Sequence, residues 1–377
     1  MILWRAGTVL GTRREWAGSV ELDVEVDGRE LRALAHPAMV GRPEHGDRVL
    51  LNVTALEKGL GTGGYALVVA LPDRLPADPP PGPGHLVKAR YTPGQVMVLG
   101  IDEQESPHHE DLREADDLGG LPVVVADLHS ALPAVVAGVH ARRPGARVVS
   151  LMTDGGALPA WFSRTTAGLA ESGRIAGTVT VGQAFGGDVE AVTVHTGLLG
   201  ARIVLEADVV VVAQGPGNLG TGTRWGFSGV AAGEALNAAA TLGGRGIGVL
   251  RMSGTDPRER HRGLSHHSVT ALGRVALAPS DVVVPTGLEW PDGDCDDVVE
   301  ERLVHALAGR HRRVDVDVRA GRRGDQDGGP DLLAALREIE QAAGLRLSTM
   351  GRDLDADPVP FLAAAAAGVH AANLLPD

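Results

Sequence analysis

The chain lacks most of what a secreted, membrane-spanning or nucleic-acid-binding protein needs. Of its 377 residues only Cys295 is a cysteine, so no disulfide framework can form within it, and a reducing cytoplasmic setting is expected. Phe, Trp and Tyr together make up 3%, which leaves Val, Leu, Ile and Ala to build the core. Nowhere do about eighteen apolar residues follow one another. The opening MILWRAGTVLGTRREW has no basic segment ahead of an apolar run, so neither a spanning helix nor a secretory leader is expected. Positive charge is scarce too: 48 Asp and Glu against 35 Lys and Arg give a net charge of −13. That balance opposes the phosphate backbone of nucleic acid, which needs a broad cationic surface. A small anionic ligand held by a local cluster is compatible with it.

The length exceeds what one small domain needs. In SVELDVEVDGRELRAL, residues 19–34, Val20, Leu22, Val24 and Val26 alternate with charged neighbours and Asp27-Gly28 signals a hairpin turn. With DRVLLNVTAL and GYALVVAL further on, residues 1–70 read as a small antiparallel β-barrel or sandwich. LPDRLPADPPPGPG, residues 71–84, reads as a proline-rich, semi-rigid linker.

From 85 to 377 the pattern changes. QVMVLGI, LPVVVAD, ARVVSLM, GTVTVG, ADVVVVA, GIGVLRM and DVVVP are continuously apolar, as strands covered on both faces are. Helical segments separate them: SALPAVVAGVHA, PAWFSRTTAGLAESG, GEALNAAATLGG, and two more in which Val299, Leu303 and Leu307, then Leu332, Leu336, Ile339 and Ala343, share a face. The order predicts a doubly wound, mostly parallel α/β sheet with helices on both faces. RAGRRGDQDGG, from 319, is expected to be a mobile loop.

Such sheets bind ligands beyond the carboxyl ends of their strands, where polar residues and glycines recur in this chain. Asp127, Asp154 and Asp188 follow predicted strands; each is equally readable as a helix cap. QGPGNLGTGTRWGFSG, residues 214–229, offers Gly215, Gly217, Asn218, Gly220 and Thr221 as an anion cradle or as a packing turn. It fits neither the P-loop nor a dinucleotide fingerprint. RERHRGLSHHS, residues 258–268, gathers three arginines and three histidines. Pro257 and Gly263 make 253–265 a loop over the crevice, from which Arg258, Arg260 and Arg262 would clamp a phosphate or carboxylate. The bland alternative is a solvated face pairing with nearby acids. Ser265 would cap a helix opening at His266 and His267, and since neighbours on a helix diverge by about 100°, only one is expected to face the crevice.

VVADLHSALPAVVAG, LMTDGGALP, GQAFGGDVEAV, VVAQGPGNLGTGTRWGFSG and DPRERHRGLSHHSVTAL, in that order, resemble a bacterial family known as domain of unknown function 3866. The resemblance covers most of 85–285 and implies a single intracellular folding unit that includes the barrel. It implies no activity, catalytic residue or cofactor.

Three functions compete. The first is an enzyme acting on a phosphorylated or carboxylated small molecule, held by the glycine loop and the arginines, with Asp154 or Asp188 as acid or base and His266 or His267 carrying the proton. The second is a metal-dependent hydrolase using His129, Asp154, Asp188 and His266 or His267. The third is a ligand sensor or assembly scaffold. No cofactor is specified, and a homodimer is expected only because such dimers are the commonest oligomers.

Overall fold

The computed structural model describes residues 1–60, 63–291, 293–319 and 329–376. All but the two end residues of the expected loop 319–329 lie outside that range.

The N-terminal strands β1 (Trp4–Trp16), β2 (Ser19–Val26), β3 (Arg29–Ala35), β4 (Arg48–Asn52) and β5 (Ala66–Ala70) close into a barrel in the order β1-β2-β3-β5-β4. The alternating residues Val20, Leu22, Val24 and Val26 all point into its core. Asp27 and Gly28 take φ of 50° and 74° between the paired residues Val26 and Arg29, the two-residue turn that favours Asp-Gly because both positions need positive φ. Residues 71–85 carry no helix or strand.

QVMVLGI departs from the expected pattern. It supplies β7 (Val96–Val98), paired antiparallel with β6 (Leu86–Lys88) in a hairpin outside the main sheet. Met97 is largely exposed, so this run is covered on one face only and cannot serve as a central strand. Lys88 anchors the hairpin. Its buried Nζ donates to the Glu190 carboxylate at 2.8 Å and to the carbonyls of Thr180 and Ala184 at 3.0 and 2.8 Å. Thr180 Oγ1 and the Gly186 N–H bind the same carboxylate, so the buried ion pair is fully partnered.

The main sheet comprises β8 (Pro122–Val125), β9 (Val148–Thr153), β10 (Gly177–Thr180), β11 (Val189–Glu190), β12 (Val209–Gln214), β13 (Arg245–Val249), β16 (Asp281–Thr286) and β17 (Arg312–Asp317), in the order β11-β10-β9-β12-β8-β13-β16-β17. Every pairing is parallel. Between β13 and β16, β14 (Met252–Ser253) and β15 (Gly263–Leu264) form a small antiparallel pair. Helices 132–142, 332–342 and 359–373 cover one face; 194–203, 231–241 and 296–307 cover the other. Helices 132–142 and 359–373 cross closely because glycines face backbone. A Cβ on Gly138 would lie 2.0 Å from the Ala365 carbonyl oxygen, and one on Gly368 would lie 2.1 Å from that of Val135.

The barrel docks on the segment after β9. Trp16 Nε1 and Ser19 Oγ each donate to the Trp161 carbonyl at 2.7 Å, and Gly18 lies flat against the Trp161 ring.

Candidate functional site at the carboxyl ends of the strands

Strand order places β8 between β12 and β13, so the residues just beyond these three strands meet. Asp127 follows β8 and Arg251 follows β13. Arg251 Nη1 donates to His267 Nδ1 at 2.8 Å and approaches Asp127 Oδ2 at 3.4 Å. The same carboxylate oxygen lies 3.6 Å from His267 Nδ1. The Asp127 and Arg251 side chains are only 11% and 9% exposed. Burial alone would raise the Asp127 pKa, but His267 and Arg251 outweigh it and hold the carboxyl below its ordinary range. A guanidinium only donates, so with the His267 ring neutral its Nδ1 accepts from Arg251, whereas a hydrogen bond from the ring to Asp127 needs the proton on Nδ1. Gln214, ending β12, fixes the floor: its Nε2 donates to the Asp127 carbonyl at 2.7 Å and to Asn218 Oδ1 at 3.2 Å.

The loop between β14 and β15 carries His261, and the helix His266–Thr270 begins directly after β15. Ser265 caps that helix as expected, its Oγ accepting from the His267 N–H, and it also bonds His261 Nδ1 at 2.8 Å. The two adjacent histidines do not diverge. Ring centroids of His266 and His267 are 4.5 Å apart, and His261 lies 5.0 and 4.9 Å from them. The helix is only five residues long and passes into a π-helical turn, and at its first turn both rings fold towards Phe227, which stacks on His267 at 3.7 Å. Burial first, then Arg251 and Arg258, lower His261 to about 3, and burial followed by His267 and nearby arginines lowers His266 to about 4, so both are neutral at pH 7. His266 Nε2 is buried without a hydrogen-bond partner.

The three arginines point three ways. Arg258 holds Asp256 through Nε and Nη2 at 2.9 and 2.8 Å, and Arg352 reaches the same carboxylate at 3.1 Å. Burial opposes the charge on Asp256, but these cations keep its pKa far below the usual range. Arg260 is exposed, reaching towards Gly222. Arg262 is partly buried and engaged in an interaction of its own. Local pairing thus claims Arg258, and no common anion clamp forms from the trio. A small, partly open cleft is instead lined by Asp127, Ser130, Arg251, His261, Thr349 and Arg352.

The glycine loop packs at its start and is open further on, where a Cβ on Gly217 or Gly220 would meet nothing within 4 Å. The Gly215 N–H donates to the Thr153 carbonyl, and Pro216 O accepts from Ala157; a Cβ on Gly156 would lie 2.1 Å from Gly215 O. Gly217 takes φ of 97°. Asn218 is held by Gln214 and Ser228. Gly220 bridges to Phe227, and the Thr221 N–H donates to Gly226, closing an exposed hairpin. Amides of Gly215 and Thr221 are therefore bonded within the protein.

The profile of a family described as protein of unknown function, DUF3866, matches residues 32–368. The chain belongs to that family. No curated protein matches it. The D-arabinose dehydrogenase from Sulfolobus solfataricus aligns over 90% of this chain and 87% of its own, at 9% identity and a TM-score of 0.17, a likeness too slight to bear on fold or activity.

In this DUF3866 chain the remaining candidates scatter. Asp188 accepts from Thr178 N and Oγ1, at the amino-terminal start of β10 and away from the rim. Asp154 is exposed and accepts from the Gln183 N–H at 3.0 Å. His129 Nε2 bonds Ser163 Oγ at 2.6 Å, and burial foremost lowers its pKa to about 4. None of the three aspartates caps a helix: Leu128, Ala131 and Thr193 occupy the cap positions after Asp127 and Asp188. His129, Asp154, Asp188 and His266 do not form one ligand set; among the described residues, the group with that geometry is His261, His266 and His267. Sequence reasoning missed Arg251 and His261. The signal for His261 was its place in the same short stretch as the histidine pair. Arg251, at the end of an apolar strand, carried none. Among the described residues no helix is long and apolar enough to cross a membrane.

Proposed function

We propose that the protein is an enzyme acting on a phosphorylated or carboxylated small molecule in the crevice beyond β8, β12 and β13. One observation carries this reading: Asp127, Arg251 and His267 come from segments up to 140 residues apart in sequence and converge within 3.6 Å at the rim where such sheets bind ligands. The cleft beside them is lined by Arg251 and Arg352, each already facing a carboxylate of the protein, Asp127 and Asp256, and by the hydroxyls of Ser130 and Thr349, so an anion would share these guanidinium groups. His261 lines the wall of the cleft.

The test is thermal unfolding in EDTA against a panel of phosphorylated and carboxylated metabolites. A ligand at about 100 times its Kd stabilises by about 2.7 kcal/mol, and Arg251→Gln should remove the shift. A stabilising compound is then incubated with the protein and analysed for product. Recovery unchanged identifies a binding protein rather than an enzyme, and no shift across the panel refutes the anion site.

A further inference from the structure

The three imidazoles of the β14–β15 loop and the following helix present one nitrogen each within 4.8 Å of the other two. We propose that His261, His266 and His267 form a binding site for one divalent transition metal ion of the zinc, cobalt or nickel type, with a coordination position open to the crevice. Imidazole ligands suit those ions, whereas magnesium and calcium take oxygen.

Three features beyond proximity point this way. His266 Nε2 is buried and has no hydrogen-bond partner, an orphan that an ion would satisfy. Metal-bound histidines are usually oriented by a partner on their other nitrogen: Ser265 Oγ holds His261 Nδ1 at 2.8 Å, and the Asp127 carboxylate stands 3.6 Å from His267 Nδ1 as the acceptor that ring needs once it gives up the Arg251 donation. That leaves Nε2 of each ring for the ion. Finally, His261 lines the partly open cleft, so an ion held there faces a path for an exchangeable fourth ligand.

Tetrahedral zinc with bonds of about 2.0–2.1 Å sets its nitrogens roughly 3.3 Å apart, so loading draws the rings inward. It also requires the His267 proton to move from Nε2 to Nδ1, where Asp127 accepts its hydrogen bond in place of the Arg251 donation. The Nε2 lone pair then forms the metal bond with no net proton released. Of the nearby cations, Arg251 faces Asp127 and Arg258 is paired with Asp256, while Arg260 is exposed and Arg302 donates to the carbonyls of Arg262 and Leu264.

The experiment uses the full chain purified without a metal-affinity tag, stripped with EDTA and freed of chelator. Cobalt(II) is added while its visible ligand-field absorption is followed, and zinc is used to displace it. The expected result is one saturable, zinc-displaceable equivalent with tetrahedral intensity. His261→Gln and His266→Gln should each weaken binding at least about a hundredfold, and Asp127→Asn about tenfold. His195→Gln, at an exposed histidine, should leave it unchanged. X-ray absorption of the cobalt-loaded wild-type protein should show three imidazole scatterers, which keeps the test valid if a variant fails to fold. No saturable binding at millimolar cobalt, or stoichiometric binding retained in both histidine variants, overturns the site. The anion reading fails separately, because its thermal shifts are measured in EDTA.

Discussion

Replacing Asp127 by asparagine keeps the shape of the side chain and removes its charge, which isolates the role of the carboxylate at the rim. In the native protein that charge faces Arg251 at 3.4 Å, with both side chains about nine-tenths buried. At an effective dielectric of about 20 their attraction is roughly 5 kcal/mol, and stripping one partner from a buried pair destabilises by about 3–5 kcal/mol because the other charge is left uncompensated. For the full chain that corresponds to a fall in Tm of about 4–6 °C. The assay is thermal and urea unfolding of the full chain, with Asp154→Asn as control. Asp154 is exposed and its Oδ2 accepts from a backbone N–H, so its variant should stay within about 1 kcal/mol of wild type. Adding Arg251→Met to Asp127→Asn should recover part of the loss, since the stranded cation is then gone. An Asp127→Asn protein within about 1 kcal/mol of wild type, with no recovery on removing Arg251, would show that these groups are not coupled and remove the centre of the proposed site.

Gly138→Ala forces a methyl group to within 2.0 Å of the Ala365 carbonyl, so helices 132–142 and 359–373 must part; a loss of about 3 kcal/mol is expected in urea unfolding. Gly145→Ala, which meets open space, should change stability by less than about 0.5 kcal/mol, and equal losses would contradict the crossing. His129, lowered to about 4 in the folded protein from about 6.5 when unfolded, binds its proton first in the unfolded chain. Its contribution is therefore full above about pH 6.5 and declines by up to about 1.4 kcal/mol per pH unit down to about pH 4. Unfolding at several pH values should show a shallower decline in His129→Gln, and an identical slope refutes the buried neutral imidazole.

Much of the α/β order is legible because β8, β9 and β12 are buried on both faces and so read as unbroken Val-rich runs. The same lettering misleads at Val96–Val98, where composition does not reveal that Met97 faces solvent. β17, RRVDVD, escapes because an edge strand alternates polar residues with apolar ones. Helix 359–373 escapes because thirteen of its fifteen residues are buried, which erases the amphipathic period. At the site, the barrier is sequence distance. Asp127 and Arg251 are 124 positions apart and meet only because β13 returns beside β8. Arg258 is claimed by Asp256 two residues away, an outcome its local spacing already allowed. The glycines of 214–229 marked a special backbone: Gly215 packs closely against the turn after β9, while Gly217 and Gly220 meet open space.

The seat of the barrel on Trp161 bears on how this protein tolerates being divided. The proline-rich stretch invites a cut at 71–84, and the matching profile starts at Arg32, inside β3. A C-terminal piece begun after that stretch would bare one side of an indole and strip its carbonyl of the donors from Trp16 and Ser19. The larger fragment would then expose a sticky apolar scar directly downstream of β9, whereas the intact polypeptide supplies its own cover.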